Sequence, residues 1–138
     1  MGNIYEKALK FAFEAKEKRN KKMKKAGTFM AALFPYDEFY FDFGRRTGKT
    51  TFLKNLAITN KDKSVVILVR YPDYLRAFDE VLDYARVYTT DDINVKLSGI
   101  EKIDLLLIDD ASDIENLKEI IERISSKLTS ESVVIKVG

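Results

Sequence analysis

The stretch FDFGRRTGKTTFLKNLA, residues 41–57, joins an aromatic run to an apolar helical pattern through a short basic loop ending in Gly-Lys-Thr. Strand, tight loop, Gly-Lys-Thr and helix, in that order, make the pattern of a phosphate-binding loop, written G-x-x-x-x-G-K-[ST]. The first position departs from it. Aligning Lys49 and Thr50 with the motif puts Phe43 where the first glycine belongs, with Gly44 one residue late. The loop length is unchanged. The chemistry needs backbone N–H groups curled around phosphate oxygens at a helix N-terminus. Gly48 permits close approach, Lys49 reaches the β and γ oxygens, and Thr50 supplies a hydroxyl to Mg²⁺. The candidate phosphate cradle is therefore Gly44, Arg45, Arg46, Thr47, Gly48, Lys49, Thr50 and Thr51. The plainer alternative is a basic turn that starts a helix, with Lys49 solvated.

A second pattern lies downstream. In DLLLIDD, residues 104–110, four apolar residues run into Asp109 and Asp110. This is the pattern of a Walker B strand. Its first carboxylate, Asp109, shares the metal with Thr50, and the second, Asp110, orients an attacking water. Alternatively, both acids only begin the next helix.

Around these motifs the chain alternates. SVVILVR (64–70) and KIDLLLIDD (102–110) read as strands buried on both faces. RVYT (86–89) is a short strand, and SVVIKVG (132–138) the last one. DYLRAFDEVLDYA (73–85) reads as a helix with Leu75, Phe78, Leu82 and Ala85 inward. DIENLKEIIERISSKL (113–128) reads as another, capped by Ser112 or Asp113, with Ile114, Leu117, Ile120, Ile121, Ile124 and Leu128 inward. Strand–helix alternation predicts an α/β fold, a mostly parallel sheet sandwiched by helices. Asn3 is an N-cap for a helix over about 4–25, with Ile4, Ala8, Phe11, Ala12 and Ala15 on one face and Gly27 as its stop. The division expected is a basic amphipathic helix, 1–27, added to one compact unit, 28–138.

Composition limits the chemistry. The 138 residues include neither cysteine nor histidine, which removes thiolate chemistry and the commonest general base. Carboxylates, Lys, Arg, hydroxyls, backbone amides or a hard metal ion must do any work. No apolar run approaches the roughly 20 residues of a membrane helix, and the N-terminus lacks a signal peptide's apolar centre, so no membrane partner and a cytoplasmic setting are expected. The net charge of +2 is uneven: KEKRNKKMKK, from Lys16 to Lys25, carries +6 and leaves −4 for the rest. Such a run attracts DNA or RNA phosphates or an acidic partner, or is simply a solvated helix end.

With GRRTGKTT and LLLIDD in place, the chain resembles the ATPase domain of viral DNA-packaging motors, the terminase large subunits, and more loosely helicase-like P-loop NTPases. The resemblance covers about residues 39–138. It implies an ASCE-like P-loop core and an Mg²⁺-dependent ATPase that acts on or translocates DNA, with ATP and Mg²⁺ as cofactors. A homo-oligomeric ring or a partner subunit and a viral protein in the host cytoplasm also follow. In it Lys49, Asp110 and Arg45 are catalytic, Arg45 as a cis arginine finger beside Arg46, and Thr50 and Asp109 hold the metal. Arg70, Arg86 and Arg123 are possible trans residues. Arg70, Tyr71 and Arg76 follow the second strand, where helicase-like enzymes often touch DNA. The departures are specific. Asp110 stands where the family has Glu, no glutamine exists to read adenine, and the nuclease domain is missing, which leaves a minimal ATPase or a fragment. Phe34, Pro35 and Tyr36 are candidates to stack on the base. The alternative is a nucleotide-binding sensor or scaffold with little hydrolysis.

Overall fold

The structure, a computed structural model, describes residues 7, 10, 11, 14, 37–41, 48–93 and 99–138. Among the described residues there are five strands: β1 (Asp37–Phe41), β2 (Val65–Val69), β3 (Arg86–Thr89), β4 (Leu105–Ile108) and β5 (Val133–Val137). They make one sheet in the order β1-β5-β4-β2-β3, and every neighbouring pair is parallel. A parallel pair cannot be closed by a hairpin, so each connection must cross a face of the sheet.

Those connections build two cores. Helix α1 (Lys49–Thr59) and a 3-10 helix (Pro72–Val81) cover one face. Phe52, Leu53, Leu56, Ala57, Phe78 and Val81 pack there on Val65, Ile67, Leu105, Leu107 and Ile135. Helix α2 (Leu117–Ile124) belongs to the other face, where Ile120, Ile121 and Ile124 meet Val66, Leu68, Leu106, Ile108 and Val134. Alternate residues of β2 and β4 thus serve opposite cores, which is why these strands are apolar throughout. The α/β fold with a parallel sheet flanked by helices agrees with the sequence expectation. Among the described residues, no helix is long and apolar enough to cross a membrane.

Two local expectations are corrected. The helix expected over 73–85 is a 3-10 helix that stops at Val81. With three residues per turn its inward line is Leu75, Phe78 and Val81, spaced by three. Leu82, placed inward by a 3.6-residue period, is 55 % exposed, while Ala85 is buried as expected. The helix expected over 113–128 is shorter. A 3-10 turn, Ala111–Asp113, precedes it and another, Ser125–Lys127, follows, so neither Ser112 nor Asp113 caps α2. Of the helix expected over about 4–25, Lys7, Lys10, Phe11 and Glu14 are described and are helical, and Phe11 is 74 % exposed. Ile4, Ala8, Ala12, Ala15, Gly27 and the run from Lys16 to Lys25 lie outside the described residues.

Candidate functional site

Because all five strands are parallel, their C-terminal ends share one edge. β5 lies between β1 and β4, so the end of β1, the end of the chain and the end of β4 stand side by side there. The Gly138 N–H donates to the Phe41 carbonyl at 2.9 Å, which carries the β1–β5 ladder to the last residue. Open α/β sheets bind ligands at this edge.

Helix α1 begins there. Gly48 is its N-cap residue, with φ +84° and ψ 29°. A β-carbon at Gly48 would meet no atom within 4 Å. The requirement for glycine is therefore conformational, since an L-residue pays for this left-handed backbone even in open space. The first intrahelical bond is the Phe52 N–H to the Gly48 carbonyl, 2.9 Å. Helix starts leave their first N–H groups without intrahelical acceptors. Among the described residues, no side chain caps this start and its first turn contains no acid. The N–H groups of Lys49, Thr50 and Thr51 thus give a positive helix end with no acid in its own first turn.

The facing group is Asp109. Its N–H still donates to the Leu68 carbonyl at 3.0 Å, so its backbone is held as an extension of β4 beside β2. Leu105 and Leu107 pack in the α1-side core and Leu106 and Ile108 in the other, and by this alternation Asp109 falls on the α1 side. It is only 7 % exposed. Burial, the largest cause, and the neighbouring Asp110 charge raise its pKa from 3.8 to about 6; the Asp110 N–H and the Lys49 ammonium act the other way. Lys49 is thus near enough for its charge to act on Asp109, and the start of α1 and the end of β4 share this sheet edge.

Asp110 has a backbone of its own kind. At φ 50° and ψ 43° it is the one non-glycine residue with positive φ among the described residues. Two bonds hold that turn. The Asp110 N–H donates to Asp109 Oδ1 at 3.0 Å, and the Asp113 N–H donates to the Asp110 carbonyl at 2.9 Å. Strain of this kind persists where surrounding bonds over-determine it, often beside functional groups. The only trace of this clamp in the residue types is the tolerance of Asp for a left-handed backbone.

Gly48, Lys49, Thr50, Thr51, Asp109 and Asp110 all belong to the C-terminal edge. Phe43, Gly44, Arg45, Arg46 and Thr47 lie outside the described residues, as do Phe34, Pro35 and Tyr36. The three arginines considered as trans residues lie on different elements. Arg70 directly follows β2, with its guanidinium 4.6 Å from the centre of the Tyr71 ring. Arg86 opens β3, at the opposite sheet edge, and Arg123 is in α2. Among the described residues, no group of three acidic side chains forms a protein cage for a metal ion. Mg²⁺ rarely uses one; it takes one or two carboxylates together with phosphate oxygens and water. Asp109 and Thr50 fit that smaller donor set. No family model, curated protein or solved structure matches the chain.

Proposed function

We propose that the chain is an Mg²⁺-dependent P-loop ATPase acting on DNA. The observation that carries this reading is the meeting of two independent motifs at one sheet edge. A left-handed Gly48 opens a helix that carries Lys49 and has no side-chain cap among the described residues, and the buried Asp109, at the end of β4, two strands from β1 in the sheet, feels that lysine's charge.

The roles follow from the chemistry. The N–H groups at the start of α1 and the Lys49 ammonium hold the β and γ phosphate oxygens. Thr50 and Asp109 hold Mg²⁺, which when bound offsets the charge developing on those oxygens. The Asp109 carboxylate is costly to ionise in its buried setting, so a cation beside it recovers energy that the apo fold lacks. Asp110, one residue further, accepts a proton from the attacking water and is aimed by its clamped turn. Arg45 and Arg46 supply further positive charge from the loop, and the cations from Lys16 to Lys25 attract the DNA backbone in a salt-dependent way.

A second reading, a nucleotide-binding sensor with slow turnover, is favoured by the side chain at position 110. An aspartate is one methylene shorter than glutamate and, on a held backbone, reaches less far toward a water. Steady-state phosphate release distinguishes the two, measured with Mg²⁺-ATP while double-stranded DNA is titrated at two salt concentrations. An ATPase gives turnover that DNA stimulates at low salt, and Lys49→Ala lowers it by about 10²–10³-fold, the usual loss of a transition-state donor. Turnover unchanged in Lys49→Ala refutes both roles of this site. Nucleotide binding without turnover selects the sensor.

A further inference from the structure

Arg70 is the first residue beyond β2, and the register of the sheet fixes its neighbours. Leu68 stands opposite Ile108 in the β2–β4 pair, and the bond from the Asp109 N–H to the Leu68 carbonyl carries that ladder past the end of β4. One step further, Val69 faces Asp109 and Arg70 faces Asp110. On its other side Val69 pairs with Thr89 of β3. The Thr90 N–H donates to the Val69 carbonyl at 3.0 Å, and the Thr90 hydroxyl donates to the Arg70 carbonyl at 3.4 Å. The Arg70 backbone is thus tied on both sides. Adjacent strands lie about 4.8 Å apart, close enough for the side chains of Arg70 and Asp110 to meet.

A cation and a carboxylate are therefore cross-strand neighbours at the candidate site, a placement that favours pairing. Among the described residues neither forms an ion pair. The Arg70 guanidinium lies instead 4.6 Å from the centre of the Tyr71 ring, which is exposed and rests against Tyr74 at 5.7 Å. A cation over an exposed ring is only lightly held. The Asp110 turn, in its own right, is closed by backbone N–H and carbonyl groups and the Asp109 carboxylate, so the clamp fixes the Asp110 backbone and leaves its carboxylate to be aimed by something else. Alternation along β2 puts Arg70 with Val66 and Leu68 on the α2 side, opposite to Asp109 and the start of α1. Arg70 is placed to act on Asp110 and not on phosphate.

We infer that Arg70 is a positioning residue for Asp110. With magnesium nucleotide bound, its guanidinium leaves Tyr71 and donates to one oxygen of the Asp110 carboxylate, which turns the other oxygen toward the attacking water. Nucleotide drives the exchange because it covers the edge, and opposite charges attract more strongly away from bulk water. The inference rests on the ATPase reading of this edge and gives Arg70 a role within its own chain, not across a subunit interface.

The test compares steady-state turnover of Mg²⁺-ATP, at saturating double-stranded DNA, in wild type, Arg70→Ala, Arg70→Lys and Tyr71→Leu, with and without Asp110→Asn. Circular dichroism confirms that each is folded. Arg70→Ala should lower kcat by up to about 10²-fold, the cost of a misplaced catalytic group, with KM unchanged. Arg70→Lys should recover part of the loss, since it keeps the charge without the planar fork. In the Asp110→Asn background Arg70→Ala should cost nothing more. Tyr71→Leu removes the resting stack and should raise kcat about two- to fivefold, the equivalent of 0.5–1 kcal/mol. A second readout needs no turnover. Adding Mg²⁺ with the β,γ-imido analogue of ATP should shift the Arg70 Nε–H signal in nitrogen-15 NMR and slow its exchange, and should do neither in Asp110→Asn. The signal is assigned by its absence in Arg70→Lys. Equal kcat in wild type and Arg70→Ala overturns the inference and leaves the ATPase reading standing. So does a full loss in the Asp110→Asn background, a loss in Tyr71→Leu as large as in Arg70→Ala, or an Arg70 signal indifferent to bound nucleotide. A folded wild type that binds no nucleotide overturns both.

Discussion

At the residue scale, the site is built from groups that the bare fold would be more stable without. Asp109 is the clearest case. Its pKa is raised from 3.8 to about 6, so between those values the folded chain binds more protons than the unfolded one. Its contribution is therefore most favourable below about pH 4 and is lost as pH rises through about 6, at a cost of about 3 kcal/mol when fully ionised. Asp109→Asn removes the ionisation. Its stability relative to wild type should rise between pH 4 and 6 and level off above, as urea unfolding at several pH values would record; a difference independent of pH contradicts this origin. The same variant should lose Mg²⁺-dependent nucleotide binding, a trade of stability for function common at active sites. Asp110 adds backbone strain of about 1–2 kcal/mol. Asp110→Gly should relieve it, raising the unfolding midpoint and abolishing hydrolysis while leaving nucleotide binding intact. A drop in stability would mean that the Asp110 carboxylate holds the fold together.

At the element scale, the inward line of the 3-10 helix is a testable consequence of its period. Phe78 is fully buried against α1 and the sheet, whereas Leu82 is exposed. Phe78→Ala should therefore cost about 3–5 kcal/mol, and Leu82→Ala should stay within about 0.5 kcal/mol, both read from chemical denaturation. Equal losses at the two positions would restore the α-helical register. Legibility in the sequence followed the strength of the local pattern. β2 and β4 were readable because strands buried on both faces are continuous in Val, Ile and Leu. α1 was readable because Phe52, Leu53, Leu56 and Ala57 repeat at helical spacing, and all four are buried. The 3-10 period was not readable, since Leu75 and Phe78 fit both periods and only the choice between Val81 and Leu82 separates them. α2 starts late because Ile114, at φ −94° and ψ 106°, is extended and separates the 3-10 turn from the helix, a backbone property that residue types alone do not encode.

At the scale of the whole molecule, strand order assembles the candidate site. The two motifs are separated by some sixty residues, and their polarity was legible as chemistry long before their proximity was. Only the insertion of β5 between β1 and β4, with every strand parallel, brings the start of α1 and the end of β4 to one edge. Parity along β4 then turns Asp109 toward Lys49. A slip of one residue in the β4 register would reverse that orientation and bury Ile108's side chain on the wrong face, so the apolar alternation that builds the two cores also aims the carboxylate. The central claim is that this edge binds a magnesium nucleotide. Isothermal titration of Mg²⁺-ATP into the wild-type chain and into Lys49→Ala tests it directly. Saturable heat from the wild type that disappears in Lys49→Ala is the expected result; no heat from the folded wild type, or the same isotherm from both proteins, would contradict it.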